Sequence, residues 1–183
     1  SVEEKVDRLK RRVEEVLKEL KKSNEDNTRE VREALKRLKK AIEESIDRSR
    51  KILEDLRRKL KDDEKKLREV EELIKRDEET NRRVLRRVEE LIRRVEEFNE
   101  ESLRRTERLI EEVKKVVDEA RRLTDEDLER ALKEVEELIR RIREENKEMS
   151  ERSKKIIRKI EKDVKKALDD SERVLREIAE RTK

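Results

Sequence analysis

The side chains in this sequence whose type and spacing invite chemistry are amides and hydroxyls, not charges. Asn24, Asn27 and Thr28 interrupt a line of apolar residues between Leu20 and Val31, inside the stretch SNEDNTRE (23–30). Asn99 and Ser102 interrupt it again, as do Asn146 and Ser150; Ser45, Ser49, Thr80, Asn81 and Ser171 form a second set, and Thr106 and Ser153 are further breaks of the same kind. An amide brings one carbonyl acceptor and two N–H donors, and a hydroxyl brings one donor and two lone pairs. Such groups can hold a polar ligand or an ion, or they can hold one another. A ligand or ion site would want a carboxylate among them, and none stands clearly on the apolar line; Asp77 is the nearest candidate. Left unpaired in an apolar surrounding, each group costs about 1–3 kcal/mol. Brought to one level, they satisfy each other as a network that sets register and orientation more than it adds stability.

Other chemistries lack their residues. His and Cys are both absent, which removes thiolate nucleophiles, thiolate metal ligation and disulfides, and also the Glu-x-x-His motifs of di-iron bundles. Acidic pairs occur everywhere among the 53 Asp and Glu, so pairing of carboxylates carries no information. The expectation is no catalysis, no cofactor, no metal and no small-molecule ligand. With 57 Lys and Arg, the net charge is only +4, and basic doublets such as Arg93-Arg94 alternate with acidic ones. Nucleic-acid phosphates would meet mixed charge and, with Trp and Tyr absent and one Phe in the chain, no stacking platform. No apolar run approaches the roughly 20 residues of a membrane span, and the polar faces are not predominantly cationic, so no membrane partner is expected. The opening SVEEKVDRLK has no apolar segment of the signal-peptide kind. A soluble chain is expected, its compartment unassigned.

The elements that must position these groups follow from what is missing. Gly and Pro are absent, and turns of sheets and long loops depend on them. What remains is helices joined by very short connections. A chain that is 60% charged and 30% hydrophobic would read as disordered were its apolar residues not periodic. They are: Val6, Leu9, Val13, Val31, Leu35, Leu38 and Ile42 early, Val84, Val88, Leu91 and Val95 midway, Ile156, Ile160, Val164 and Leu168 late. Steps of three and four make one stripe on a helix, and a mean step of roughly 3.5–3.6 gives a weak left-handed supercoil. Adjacent pairs such as Leu73-Ile74, Leu91-Ile92 and Leu138-Ile139 widen the stripe toward a bundle core. On the polar faces, Glu89 with Arg93 and Glu90 with Arg94 stand at i, i+4.

Two stretches look like turns. LKDDEKKL (60–67) places Asp62 and Asp63 where the stripe next needs an apolar residue, and RRLTDEDLER (121–130) offers Thr124 as an N-cap with Asp127 at the capping-box position. Ser1 with Glu4 is a capping box at the first start. Helix 1 is then about 2–61, helix 2 about 63–122 and helix 3 about 125–181, each about 60 residues or ~90 Å. The reading is all-α: one domain over 1–183, an elongated, coiled-coil-like, antiparallel up-down-up three-helix bundle. The stripe nearly keeps phase through both turns, so one very long helix is the alternative. A loop at 23–30, with Asn27 and Glu30 as a capping box, is the alternative for the opening stretch. Folding back twice brings Asn24, Asn27 and Thr28 level with Asn99 and Ser102 and with Asn146 and Ser150. It also brings Ser45 and Ser49 level with Thr80, Asn81 and Ser171. A single helix gives no reason for that mirror relation.

The near-repeated blocks VEELIKRDEE (70–79), VEELIRRVEEF (88–98) and VEELIRRIREE (135–145), the TDEDLE helix start and the Ser/Asn/Thr layers within Leu/Ile/Val stripes resemble computationally designed helical bundles with buried hydrogen-bond networks. That resemblance covers the whole chain and implies an idealised, stable scaffold without evolved activity, its polar layers specifying helix register. A monomer is expected. The alternative is a helical interaction module, an open bundle or subunit that accepts partner helices. A spectrin-like domain is disfavoured by the missing Trp, Gly and Pro.

Overall fold

The computed structural model describes residues 2–183. Helix α1 spans Val2–Lys59, α2 Glu64–Ala120 and α3 Asp125–Arg181, and no strand occurs among the described residues. The three helices pack against one another as a bundle. Leu, Glu, Lys and Arg, strong helix formers, fill the sequence between caps. The β-branched Val and Ile sit on the stripe, where packing offsets their lower propensity. α1 passes through residues 23–30 without a break, so the helical reading of SNEDNTRE holds and the loop reading fails. Thr28 shows why a hydroxyl is tolerated there: its Oγ1 donates to the Asn24 carbonyl at 2.9 Å, a back-bond onto the preceding turn that leaves the helix intact.

The connections are short because each helix ends in a tightened turn and the next begins at a cap. The amide of Asp63 donates to the Leu60 carbonyl at 3.1 Å. Asp63 is then the N-cap of α2, its Oδ1 accepting from the Lys66 amide at 3.1 Å. At the second turn the amides of Arg122 and Leu123 donate to the carbonyls of Glu119 and Ala120 at 3.1 and 3.3 Å. The Thr124 carbonyl receives the Leu128 amide at 2.8 Å, and the Thr124 hydroxyl donates to Asp127 Oδ2 at 2.9 Å. Such three-residue bonds satisfy the last carbonyls of a helix, and no described residue has positive φ. Turns of this kind make no demand for glycine. The helices end at Lys59 and Ala120, two residues before the expected ends, because the tightened turns begin there. The capping box expected of Ser1 and Glu4 lies outside the described residues.

Contacts divide the chain into two compact units, each taking a segment of all three helices. The first combines the segment ending at Val31 with Arg94–Lys154, the second Arg32–Arg93 with Lys155–Lys183. In the first unit Val6 meets Ala120, Leu128 and Ala131. Leu9, Val13 and Leu17 of α1 pack with Val113 and Val117 of α2 and with Val135, Leu138, Ile139 and Ile142 of α3. Numbers rise along α1 as they fall along α2 and rise along α3, so the segments run up, down, up; Arg121 reaches Asp7 at 3.4 Å and Arg12 reaches Glu136 at 3.9 Å.

In the second unit Leu56, Val70, Ile74 and Ile178 form the corresponding cluster, and ion pairs Arg57–Glu71 at 3.2 Å and Arg87–Asp163 at 3.2 Å report the same directions. Glu89, four residues before Arg93, reaches across to Lys39 of α1 at 3.6 Å. Ile142, Leu35, Ile42 and Ile74 are almost wholly buried, each contributing about 1.5–3 kcal/mol by transfer out of water. Among the described residues no large hydrophobic side chain is exposed.

Candidate functional site

The second unit holds a closed polar layer between apolar ones. Its centre is Asp77 of α2, 5% exposed. Asp77 follows Ile74 by three residues and precedes Asn81 by four, the steps that keep a helix face turned to the core. Ser171 of α3 donates its hydroxyl to Asp77 Oδ1 at 2.7 Å, and Ser49 of α1 donates to Asp77 Oδ2 at 3.3 Å. Asn81 Nδ2 donates to Ser171 Oγ at 2.9 Å and to Ser45 Oγ at 3.4 Å. All five side chains are buried, and all three helices contribute. Burial pushes the Asp77 carboxyl above its ordinary value; the hydroxyls of Ser171 and Ser49 pull it back, and the nearby Asp170 carboxylate adds to the rise. At the rim, Glu78 is held below its usual range by the Arg82 guanidinium first and then by Arg50.

The first unit places polar side chains on the same stripe but closes few of their bonds. Asn24, Asn99, Ser102, Thr106 and Ser153 are buried, while Asn27, Thr28, Asn146 and Ser150 are half-buried. Ser150 Oγ donates to Asn27 Oδ1 at 3.4 Å, and Asn146 Nδ2 donates to the Leu20 carbonyl at 3.2 Å. Ser102 donates to Glu145 Oε1 at 3.1 Å, an oxygen that also receives Arg105 Nε at 2.8 Å. Both amide atoms of Asn24 and of Asn99, Nδ2 of Asn27, Oδ1 of Asn146 and the hydroxyls of Thr106 and Ser153 are buried without a hydrogen-bond partner in the protein. Every one of these orphaned groups belongs to the first unit. Beside them the Arg152 guanidinium sits 4.4 Å from the centre of the Phe98 ring, a cation–π contact.

The two expected sets thus lie one in each unit. Three placements differ from the sequence reading. Asp77, named only as the carboxylate nearest the stripe, is at the centre of its layer, because the adjacent pairs Leu73-Ile74 and Val84-Leu85 blur a line that runs 70–74–77–81–84 through it. Thr80 falls beside that line: its hydroxyl donates to the Arg76 carbonyl of its own helix at 3.1 Å and takes no part in the layer. Glu145 is a member that no stripe position announces, since it flanks the line through Ile142, Asn146 and Met149 and reaches Ser102 by its length. What the closed layer can do chemically is exchange hydrogen bonds and a proton. Among the described residues no group of three or more acidic, His or Cys side chains is placed to hold a metal ion, and no helix is long and apolar enough to cross a membrane. Compared with known proteins, the chain matches no protein-family model, no curated protein and no solved structure.

Proposed function

We propose that this chain is a structural scaffold of designed origin, without catalytic activity, in which buried polar layers choose how the helices pair. The observation that carries this reading is the layer of Ser45, Ser49, Asp77, Asn81 and Ser171, bonded across all three helices and set between apolar neighbours. Sliding any helix by one turn, about 5.4 Å, would remove a donor from a buried carboxylate or a partner from a buried amide. Apolar layers tolerate such a slip far better, which is why polar residues at core positions fix register. The reused VEEL blocks, the two capped turns without glycine and the lack of any match among known proteins accord with an idealised sequence. The sequence offers catalysis no His and no Cys, and among the described residues Asp77 is the one buried carboxylate.

The test is to replace the layer with apolar residues of similar size, Asp77→Leu and Asn81→Leu with Ser45, Ser49 and Ser171→Ala, and to record amide NMR spectra. The scaffold reading expects retained helix content with doubled or broadened signals from mixed registers. One sharp set with unchanged contacts between helices would overturn it. A second reading, a module that opens to accept partner helices, is favoured by the orphaned amides of the first unit, whose buried donors and acceptors opening would present to a partner. Sedimentation equilibrium separates the two: a mass of one chain, 22.5 kDa, supports the scaffold alone, and a concentration-dependent multiple supports the module.

A further inference from the structure

One hydroxyl proton of the Asp77 layer has two claimants. The Ser171 hydroxyl carries one proton and has two acceptors in reach, Asp77 Oδ1 at 2.7 Å and Asn81 Oδ1 at 3.4 Å. An ionised carboxylate is the stronger acceptor and here the nearer one, so it takes the proton and leaves the buried Asn81 carbonyl with only a long contact. The charge on Asp77 is met by two neutral hydroxyls, those of Ser171 and Ser49. Nearby ionised groups are paired with other partners. On α3, Asp170 is held by Arg173 at 3.3 Å. Glu78 on α2 is shared by Arg82 at 2.8 Å and by Arg50 of α1 at 2.9 Å. The layer touches a surface cleft through two of its members: Ser45 and Ser171 line a space of about 210 Å³ whose walls include Glu44 and Arg48 of α1 and Glu172 of α3.

We propose that this layer is a proton-operated switch, resting on the scaffold reading above, in which protonation of Asp77 hands the Ser171 hydroxyl from the carboxylate to the Asn81 carbonyl. A hydronium ion in the cleft gives its proton to Ser171 Oγ as the proton already on Ser171 passes to Asp77 Oδ1, and it leaves as water. The new carboxyl O–H donates to Ser171 Oγ, whose other lone pair keeps the bond from Asn81 Nδ2. The Ser171 proton, no longer required by Asp77, rotates to Asn81 Oδ1. The layer becomes uncharged, and rotation of the hydroxyl with a small approach of the amide closes the 3.4 Å contact into a bond that satisfies the Asn81 carbonyl.

The sign follows from burial. Because Asp77 binds its proton more tightly folded than unfolded, its stabilising contribution is complete below the ordinary carboxylate value and is lost as pH rises through the elevated folded value. The other ionised pairs act oppositely, so the contrast with Asp77→Asn isolates this site.

The experiment is a pH titration of the full chain by NMR, reading the Asp77 carboxyl carbon and the Asn81 side-chain amide together, in the native sequence and in Ser171→Ala. The switch expects an Asp77 midpoint above the ordinary range, an Asn81 amide that shifts at the same midpoint, and loss of the Asn81 response alone in Ser171→Ala. An Asn81 amide indifferent to pH, or equally responsive in Ser171→Ala, overturns it. As a second readout, the stability of the native chain relative to Asp77→Asn should rise as pH falls from neutral toward the carboxylate range; a constant difference overturns the proposal. Stabilisation at neutral pH by sodium over choline at equal ionic strength, absent in Asp77→Asn, would overturn it in favour of a small cation at the carboxylate. Mixed helix registers in the apolar-layer variant bear on the scaffold reading and not on this titration, so the two fail separately.

Discussion

Asn81 and Asn99 are the same residue type, on the same helix, equally buried, and opposite in their bonding. Asn81 donates to Ser171 and Ser45, whereas neither amide atom of Asn99 finds a protein partner. Replacing each with Leu, close to it in size, makes a matched pair of perturbations. Both gain the transfer of a leucine out of water, about 1.5–3 kcal/mol. Asn99→Leu also removes two orphaned groups whose burial costs about 1–3 kcal/mol. Asn81→Leu removes no orphan and takes the amide donor from Ser171 and Ser45, a loss of about 1–3 kcal/mol. The leucine term cancels in the comparison. Asn99→Leu should therefore stabilise the chain, and Asn81→Leu should fall short of it by about 2–6 kcal/mol. Native-state hydrogen exchange reads each unit separately, and guanidinium unfolding followed by circular dichroism gives the global figure. Equal shifts for the two variants would refute the reasoning, because they would mean that the Asn99 amide is as well satisfied as that of Asn81.

Ile142→Ala, at a wholly buried position of the first unit, should cost about 2–5 kcal/mol in guanidinium unfolding. Its neighbour Arg140, exposed and paired with Glu137 and Glu144, should change stability by less than about 0.5 kcal/mol when replaced by Ala. Asp63→Ala removes the side-chain cap on the Lys66 amide and should cost about 0.5–2 kcal/mol, seen first as faster exchange in the opening turn of α2. Glu78, whose carboxyl is held low by Arg82 and Arg50, stabilises the fold above its unfolded value. That contribution is lost as pH falls through the lower folded value, so Glu78→Gln should flatten this part of the acid limb of a stability–pH profile.

The helices and turns were legible because they depend on pattern and local chemistry. A stripe that keeps period through Asn24 and Thr28 needs only a back-bonding hydroxyl to stay helical, and Asp63 and Thr124 announce themselves as caps by type and position. The polar layers were legible as positions but not as bonds. Whether Asn99 is satisfied depends on where three backbones place their side chains to within an ångström, which no spacing rule contains. Asp77 sits between these cases. Its steps from Val70 through Ile74 to Asn81 and Val84 put it on the core line, and the signal was in the sequence. It was obscured because a charged residue is expected on a solvated face in a chain that is 60% charged. The lesson is specific to such chains. When charge is everywhere on the surface, an acidic residue at an interior step carries more information than any apolar neighbour, because burying it without a cation costs free energy that some other feature must offset. In the second unit that feature is a pair of serine hydroxyls from two other helices. They make the layer depend on the correct partners and, through the single proton of Ser171, on pH.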